Sequence, residues 1–79
     1  MHWQAGRPWP INAVQAGVYK EGGSRNLQFI ARRRHQMSTL IGYAYMNGPF
    51  YAAFHGSEVT YADFEVLVDN ASLFPKEHL

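Results

Sequence analysis

Turn chemistry recurs so often along this chain that no window remains for a sustained helix. Glu21-Gly22-Gly23-Ser24, Asn47-Gly48-Pro49 and Gly56-Ser57 interrupt short apolar stretches. These residues either accept positive φ or cannot continue a hydrogen-bonded ladder. Between the turns the residues alternate with a period of two. From Ile11 to Tyr19, Val14, Ala16 and Val18 fall on one side, and Ala13, Gln15 and Gly17 on the other. Leu27 to Ala31 reads as the returning strand, and Leu40 to Met46 sets Tyr43 and Tyr45 against Ala44 and Met46. Phe50 to His55, Glu58 to Tyr61 and Phe64 to Val68 complete the set. No window carries the i, i+3, i+4, i+7 stripe of an amphipathic helix. The pattern predicts an all-β fold: a small antiparallel sheet or sandwich of about six short strands. Asn47-Gly48 predicts a type I′ hairpin turn. Residues 1–10, with Gly6, Pro8 and Pro10 around Trp3 and Trp9, read as an extended segment covering an edge. Residues 69–79 read as a tail, with room for one helical turn from Ser72.

At 79 residues the chain forms one domain. A domain of this size buries only roughly 60% of its unfolded surface, so it gains from a metal, disulfides or a partner. Cysteine is absent, which removes disulfides and thiolate ligands. His2, His35, His55 and His78 lack the local spacing of a zinc site. No metal and no cofactor are therefore expected. Association into a homodimer is the expected source of added stability, since twelve aromatic residues exceed what one small sheet covers. The net charge of +1 provides no broad basic footprint for nucleic acid. No apolar run is long enough to span a membrane. The start, Met1-His2-Trp3-Gln4, does not read as a secretory signal, which points to a cytoplasmic or leaderless secreted chain.

Five pieces, in order, resemble the DM-nine repeat of lectin-like modules. Pro10-Ile11-Asn12-Ala13-Val14-Gln15-Ala16-Gly17 is similar to its P-x-N-A-V-x-x-G opening. Phe29-Ile30-Ala31-Arg32 followed by His35 resembles its Y-V-G-R-A-x-H strand and loop, and Leu40-Ile41-Gly42 stands where the family writes L-P-G-K. Tyr51 to His55 with Gly56-Ser57-Glu58 resembles its A-Y-x-x-x-G-G-x-E hairpin. Phe64-Glu65-Val66-Leu67-Val68 resembles its closing Y-E-V-L strand. The resemblance spans about residues 10–68 of the chain. It implies a sugar-binding β-module that pairs with a second copy. Tyr19 or Lys20 stands where the family places an acidic residue, and Tyr43 where it places lysine. The family's mannose clamp is therefore not implied.

The candidate ligand residues are Tyr19, Lys20, His35, Gln36, Tyr43 and Glu58, at a site where the 36–43 loop approaches the first turn and Glu58. Tyr19, Tyr43 and Tyr45 offer rings on which the C–H face of a sugar can stack, or else pack within the sheet. Glu58 can accept hydroxyls, or pair with Arg32. Arg32-Arg33-Arg34-His35 reads either as an anion clamp or as a solvated strand end whose alternation splits the three guanidiniums between faces. His35 reads as a sugar or metal contact, or as a loop histidine hydrogen-bonded to backbone; His55 reads as a satisfied half-buried strand histidine or an interface residue. No nucleophile elbow, cysteine nucleophile or acid pair suggests catalysis. The expected partner is a glycan or another small polar ligand. The alternative is a protein-interaction module that has lost sugar binding. Arginines interleaved with aromatics faintly suggest a single-strand platform, which the low net charge opposes.

Overall fold

The computed structural model describes residues 1–69. They form one antiparallel sheet of seven strands, with no helix among the described residues. The strands are β1 (His2–Ala5), β2 (Gln15–Glu21), β3 (Ser24–His35), β4 (Ser38–Tyr45), β5 (Phe50–Phe54), β6 (Ser57–Tyr61) and β7 (Glu65–Val68). Their spatial order is β1-β7-β3-β4-β5-β6, with β2 also paired to β3.

The twelve-residue β3 organises the rest. One edge meets β4 from Gln28 to His35. The other edge is shared: β2 takes its first half, up to Phe29, and β7 takes Ala31 and Arg32. This sharing explains why β2 starts at Gln15 rather than at Ile11. The Val14 amide donates to the carbonyl of Leu67, and the Ile30 amide donates to that of Val14, so residues 12–14 fill the corner between β7 and β3.

Of the two expected forms, sheet or sandwich, the chain takes the single antiparallel sheet, and the leading segment contributes a seventh strand, β1, against β7. The basic run lies within β3 and not beyond it. The expected loop from Gln36 to Thr39 shrinks to a turn at Gln36 and Met37, with Ser38 already paired to His35. At the next hairpin only Asn47 has positive φ, and the Gly48 amide donates to the Tyr45 carbonyl. A type I′ turn needs positive φ at both central residues, so Asn47-Gly48 is not one. That pattern occurs instead at His55 and Gly56, with φ of 51° and 81°. His55 is accordingly an exposed turn residue and not part of an apolar strand. The expected tail from Ser72 lies outside the described residues, as does His78.

The inner face of the sheet holds the core: Ala31, Ala44, Phe50, Ala52, Val66 and Val68, with Phe29 beside them. Phe64 stacks over Phe50 at 6.1 Å between centroids, and Trp9 meets Phe29 edge-on at 5.2 Å. The segment before β2 and the β6–β7 link therefore lid this face. The link is only Ala62, Asp63 and Phe64. Four residue steps reach at most about 14 Å, whereas four strand spacings in a flat sheet are about 19 Å. The sheet must curl inward for β6 to connect to β7.

At Gly42, on β4, the backbone of β5 leaves no room for a side chain. A Cβ there would stand 2.1 Å from the carbonyl oxygen of Tyr51 and 2.9 Å from the Cβ of Ala52. Backbone cannot yield as a flexible side chain does, so Gly42→Ala is expected to destabilise the domain by about 1–3 kcal/mol. Thermal unfolding checks this, with a midpoint lower by roughly 4–8 °C per kcal/mol for a domain this small.

Candidate functional site

Three tyrosines gather on the outer face, which no segment of the described chain covers. Alternation along β4 puts Tyr43 and Tyr45 on the side opposite buried Ala44. The hairpin register then pairs Tyr43 with Tyr51. Their rings stack at 5.5 Å with planes 27° apart, and Tyr45 stands edge-on to both at 5.7 and 5.9 Å. Gln28 donates its amide to the Tyr45 hydroxyl at 3.2 Å, which fixes that ring from β3. All three rings are half-buried.

A cleft opens beside this cluster. The β4–β5 ladder covers only Tyr43↔Tyr51 and Ala44↔Phe50, although both strands run further. At the Tyr43↔Tyr51 end of the pairing, where Gly42 and Ala52 lie close together, a hollow of about 460 Å³ is lined by Ile41, Tyr43, Ala53 and Glu58 among others. The register Ala53↔Glu58 puts the carboxylate on the same outer face as the tyrosines. Tyr43 feels it: burial raises its phenol pKa above the ordinary 10.0, and the charges of Tyr45 and Glu58 raise it further. The neutral, hydrogen-bonding phenol is thus the form presented over the whole physiological range.

The arginine run is divided by the alternation of β3. Arg33 faces inward and is fully engaged. Its guanidinium lies 4.0 Å from the Tyr61 ring centroid, donates from Nε to the carbonyl of Asp63, and pairs through Nη2 with the Asp63 carboxylate at 3.0 Å. Arg32 faces outward, over Trp3 at 4.5 Å, and pairs with Glu65 at 2.7 Å. The expected pairing of Arg32 with Glu58 does not occur. Arg34 is exposed and makes no ion pair among the described residues.

The sequence-derived site is only partly assembled. Tyr43 and Glu58 meet at the cleft. Tyr19 and Lys20 pair with Asn26 and Arg25, on an exposed hairpin beyond the end of β4. His35 and Gln36 lie at the far end of β3, nine residues away from Asn26 or about 30 Å along a strand. The 36–43 segment therefore does not approach the first turn. His35 also faces inward, sharing a 2.5 Å hydrogen bond with the Tyr61 hydroxyl and standing edge-on to Phe54 at 4.5 Å. It buttresses the curl. Tyr51 was the ring missed. Register counting about Asn47 pairs positions 43 and 51, and that was the available signal.

Among the described residues no three His, Asp or Glu side chains group as metal ligands, and no helix is long and apolar enough to cross a membrane. No family model matches the chain, and no curated protein or solved structure matches it.

A nearby negative charge disfavours the phenolate, so Glu58→Gln is expected to bring the Tyr43 pKa down toward 10.0. Ring carbon shifts followed against pH measure this directly. An unmoved titration would show that Glu58 does not act on Tyr43. A phenol raised in the folded state keeps its full contribution to stability below 10.0 and loses it as pH climbs through the folded value. Tyr43→Phe should therefore make stability less sensitive to pH above 10.0 than it is in the wild type.

Proposed function

We propose that the protein is a non-catalytic carbohydrate-recognition module whose site is the Tyr43–Tyr51 stack, edged by Tyr45 and Glu58. The observation that carries this reading is the coincidence, on one open sheet face, of half-buried rings held in fixed geometry and a carboxylate at the mouth of an adjoining cleft. Pyranose rings present apolar C–H faces edged with hydroxyls. Rigid tyrosines match the apolar face at little conformational cost, and an ionised carboxylate accepts the hydroxyls. The resemblance of residues 10–68 to DM-nine modules supports the same reading.

Stacking with one charged acceptor supports weak binding. We expect millimolar affinity for single neutral sugars, raised to useful avidity in a homodimer, where two sites act together. The outer edges of β1, β2 and β6, unpaired among the described residues, are where a second copy would continue the sheet. Ile41 and Met46, 62% and 55% exposed, favour a second reading in which this region docks a protein.

A nuclear magnetic resonance titration with mannose, galactose and glucose tests the assignment. Shifts should centre on Tyr43, Tyr45 and Tyr51, and Tyr51→Ala should abolish them. Glu58→Gln should weaken binding about tenfold or more, the loss of one charged hydrogen bond. Shifts that map to the β2–β3 hairpin or to His35 would reject the site. Silence at high millimolar sugar would favour the protein-docking reading.

A further inference from the structure

The outer face carries a second polar group that neutral-sugar binding leaves unused. On it, the β3–β4 register places Ile30 beside Tyr43, Arg32 beside Ile41 and Arg34 beside Thr39. Arg32 thus lies one pair beyond the tyrosine stack and Arg34 two pairs beyond, about 13 Å along the strands. These residues border a hollow of about 640 Å³ at the β3 edge, which Thr39 and Glu65 and, from the inner side, Arg33, Asp63 and Phe64 also line.

The three guanidiniums of this run are not equivalent. Arg33 is consumed by Tyr61 and Asp63 on the inner side. Arg32 is held in place by Trp3 and by Glu65, but its ion pair uses Nε. Its two terminal nitrogens make no hydrogen bond among the described residues. Arg34 is exposed and has no counter-ion among them, with the Thr39 hydroxyl next to it across the ladder. A guanidinium fixed by neighbours, a free one two residues on along the same face and a hydroxyl donor form a set suited to one carboxylate or sulfate group. The charge along the face is graded. Glu58 lies at the β6 side of the stack, and the arginine excess lies at the β3 side.

Resting on the reading of the tyrosine cluster as a sugar platform, we infer that the ligand is an acidic glycan. One sugar ring sits on Tyr43 and Tyr51 with its hydroxyls toward Glu58, and the acid group of a neighbouring unit reaches Arg34 and the free end of Arg32. A nucleic-acid strand fits less well. It carries a phosphate at every nucleotide, and Glu58 and Glu65 flank its path on the same face. Two guanidiniums serve one anionic group, not a chain of them.

Four probes decide this with the full chain: a hyaluronan tetrasaccharide, its carboxyl-reduced neutral counterpart, a chondroitin 4-sulfate tetrasaccharide and a single-stranded oligonucleotide. Affinity is measured by calorimetry at low and at physiological salt. At least one acidic tetrasaccharide should bind about tenfold or more tightly than the neutral one, and the advantage should shrink with salt. Arg34→Gln, a change at an exposed side chain, should remove that advantage while leaving neutral binding as it was. A gain with hyaluronan assigns a carboxylate, and a gain confined to chondroitin sulfate assigns a sulfate. Equal binding of acidic and neutral sugars, both lost in Tyr51→Ala, would overturn the acidic ligand and leave the platform intact. An acidic advantage unaffected by Tyr51→Ala would overturn the platform and the inference with it, as would no sugar binding at all. Tighter binding of the oligonucleotide, lost in Arg34→Gln, would overturn the inference in favour of nucleic acid.

Discussion

The link between β6 and β7 is too short for a flat sheet, and much of the architecture follows from that shortage. Ala62, Asp63 and Phe64 must bring the chain back past β5, β4 and β3. The only solution is a sheet curled toward its inner face. Arg33 holds the curl, because one guanidinium grips the link at Asp63 and stacks on Tyr61 at the end of β6. His35 adds a bond to the same tyrosine. The link then drops Phe64 over Phe50, while Gly6 comes close enough to the Phe64 ring that a Cβ would stand 2.5 Å from it. Curling and lidding together give a chain this small its buried core.

Curling one face closed leaves the other open. Among the described residues no layer packs on the outer face, so its side chains stay half-buried by their neighbours alone. That is why the tyrosines form a cluster instead of a core, and why Arg32 and Arg34 remain at the surface while Arg33, one residue from each, is absorbed into structure. Alternation along β3 made this division; the triple arginine has one structural member and two members facing the candidate site. Arg32 lies between these roles, since Trp3 and Glu65 hold it without occupying its terminal nitrogens.

Particular residues show how far local reading reaches. Tyr43 and Tyr45 fell on one face by period-two counting, and the structure keeps them there. Glu58 entered as a hydroxyl acceptor and lies at the cleft. The resemblance groups Tyr19 and Lys20 with His35 by implying that the loops carrying them meet. They do not, because β3 is twelve residues long and separates them. The length of β3 was obscured by the basic run, which reads as a strand end while its third residue still pairs across the sheet, Arg34 with Thr39. His55 looked like a strand residue between Phe54 and Gly56, and became a turn residue when the type I′ geometry fell one position earlier than glycine alone suggested.

The sequence by itself determined the class of fold, most of the strands and the sidedness of β4 and β5, whereas the register shift between Gln15 and Gly17 breaks the alternation read along β2 and puts Val14 and Val18 on opposite faces. These depend on turn chemistry and on a two-residue period, and both are local. It offered the split of the arginines between faces only as one of two readings, which the pairing of β3 as far as His35 decides. Tertiary structure alone decided which strands share an edge, because β2 and β7 compete for β3 from positions distant in the chain. It decided that Arg32 pairs with Glu65 and not with Glu58, since that choice is set by strand order and not by strand identity. It decided, too, that the sheet closes inward and leaves its tyrosine face open. The cause is a distance constraint between β6 and β7, and no local pattern encodes it.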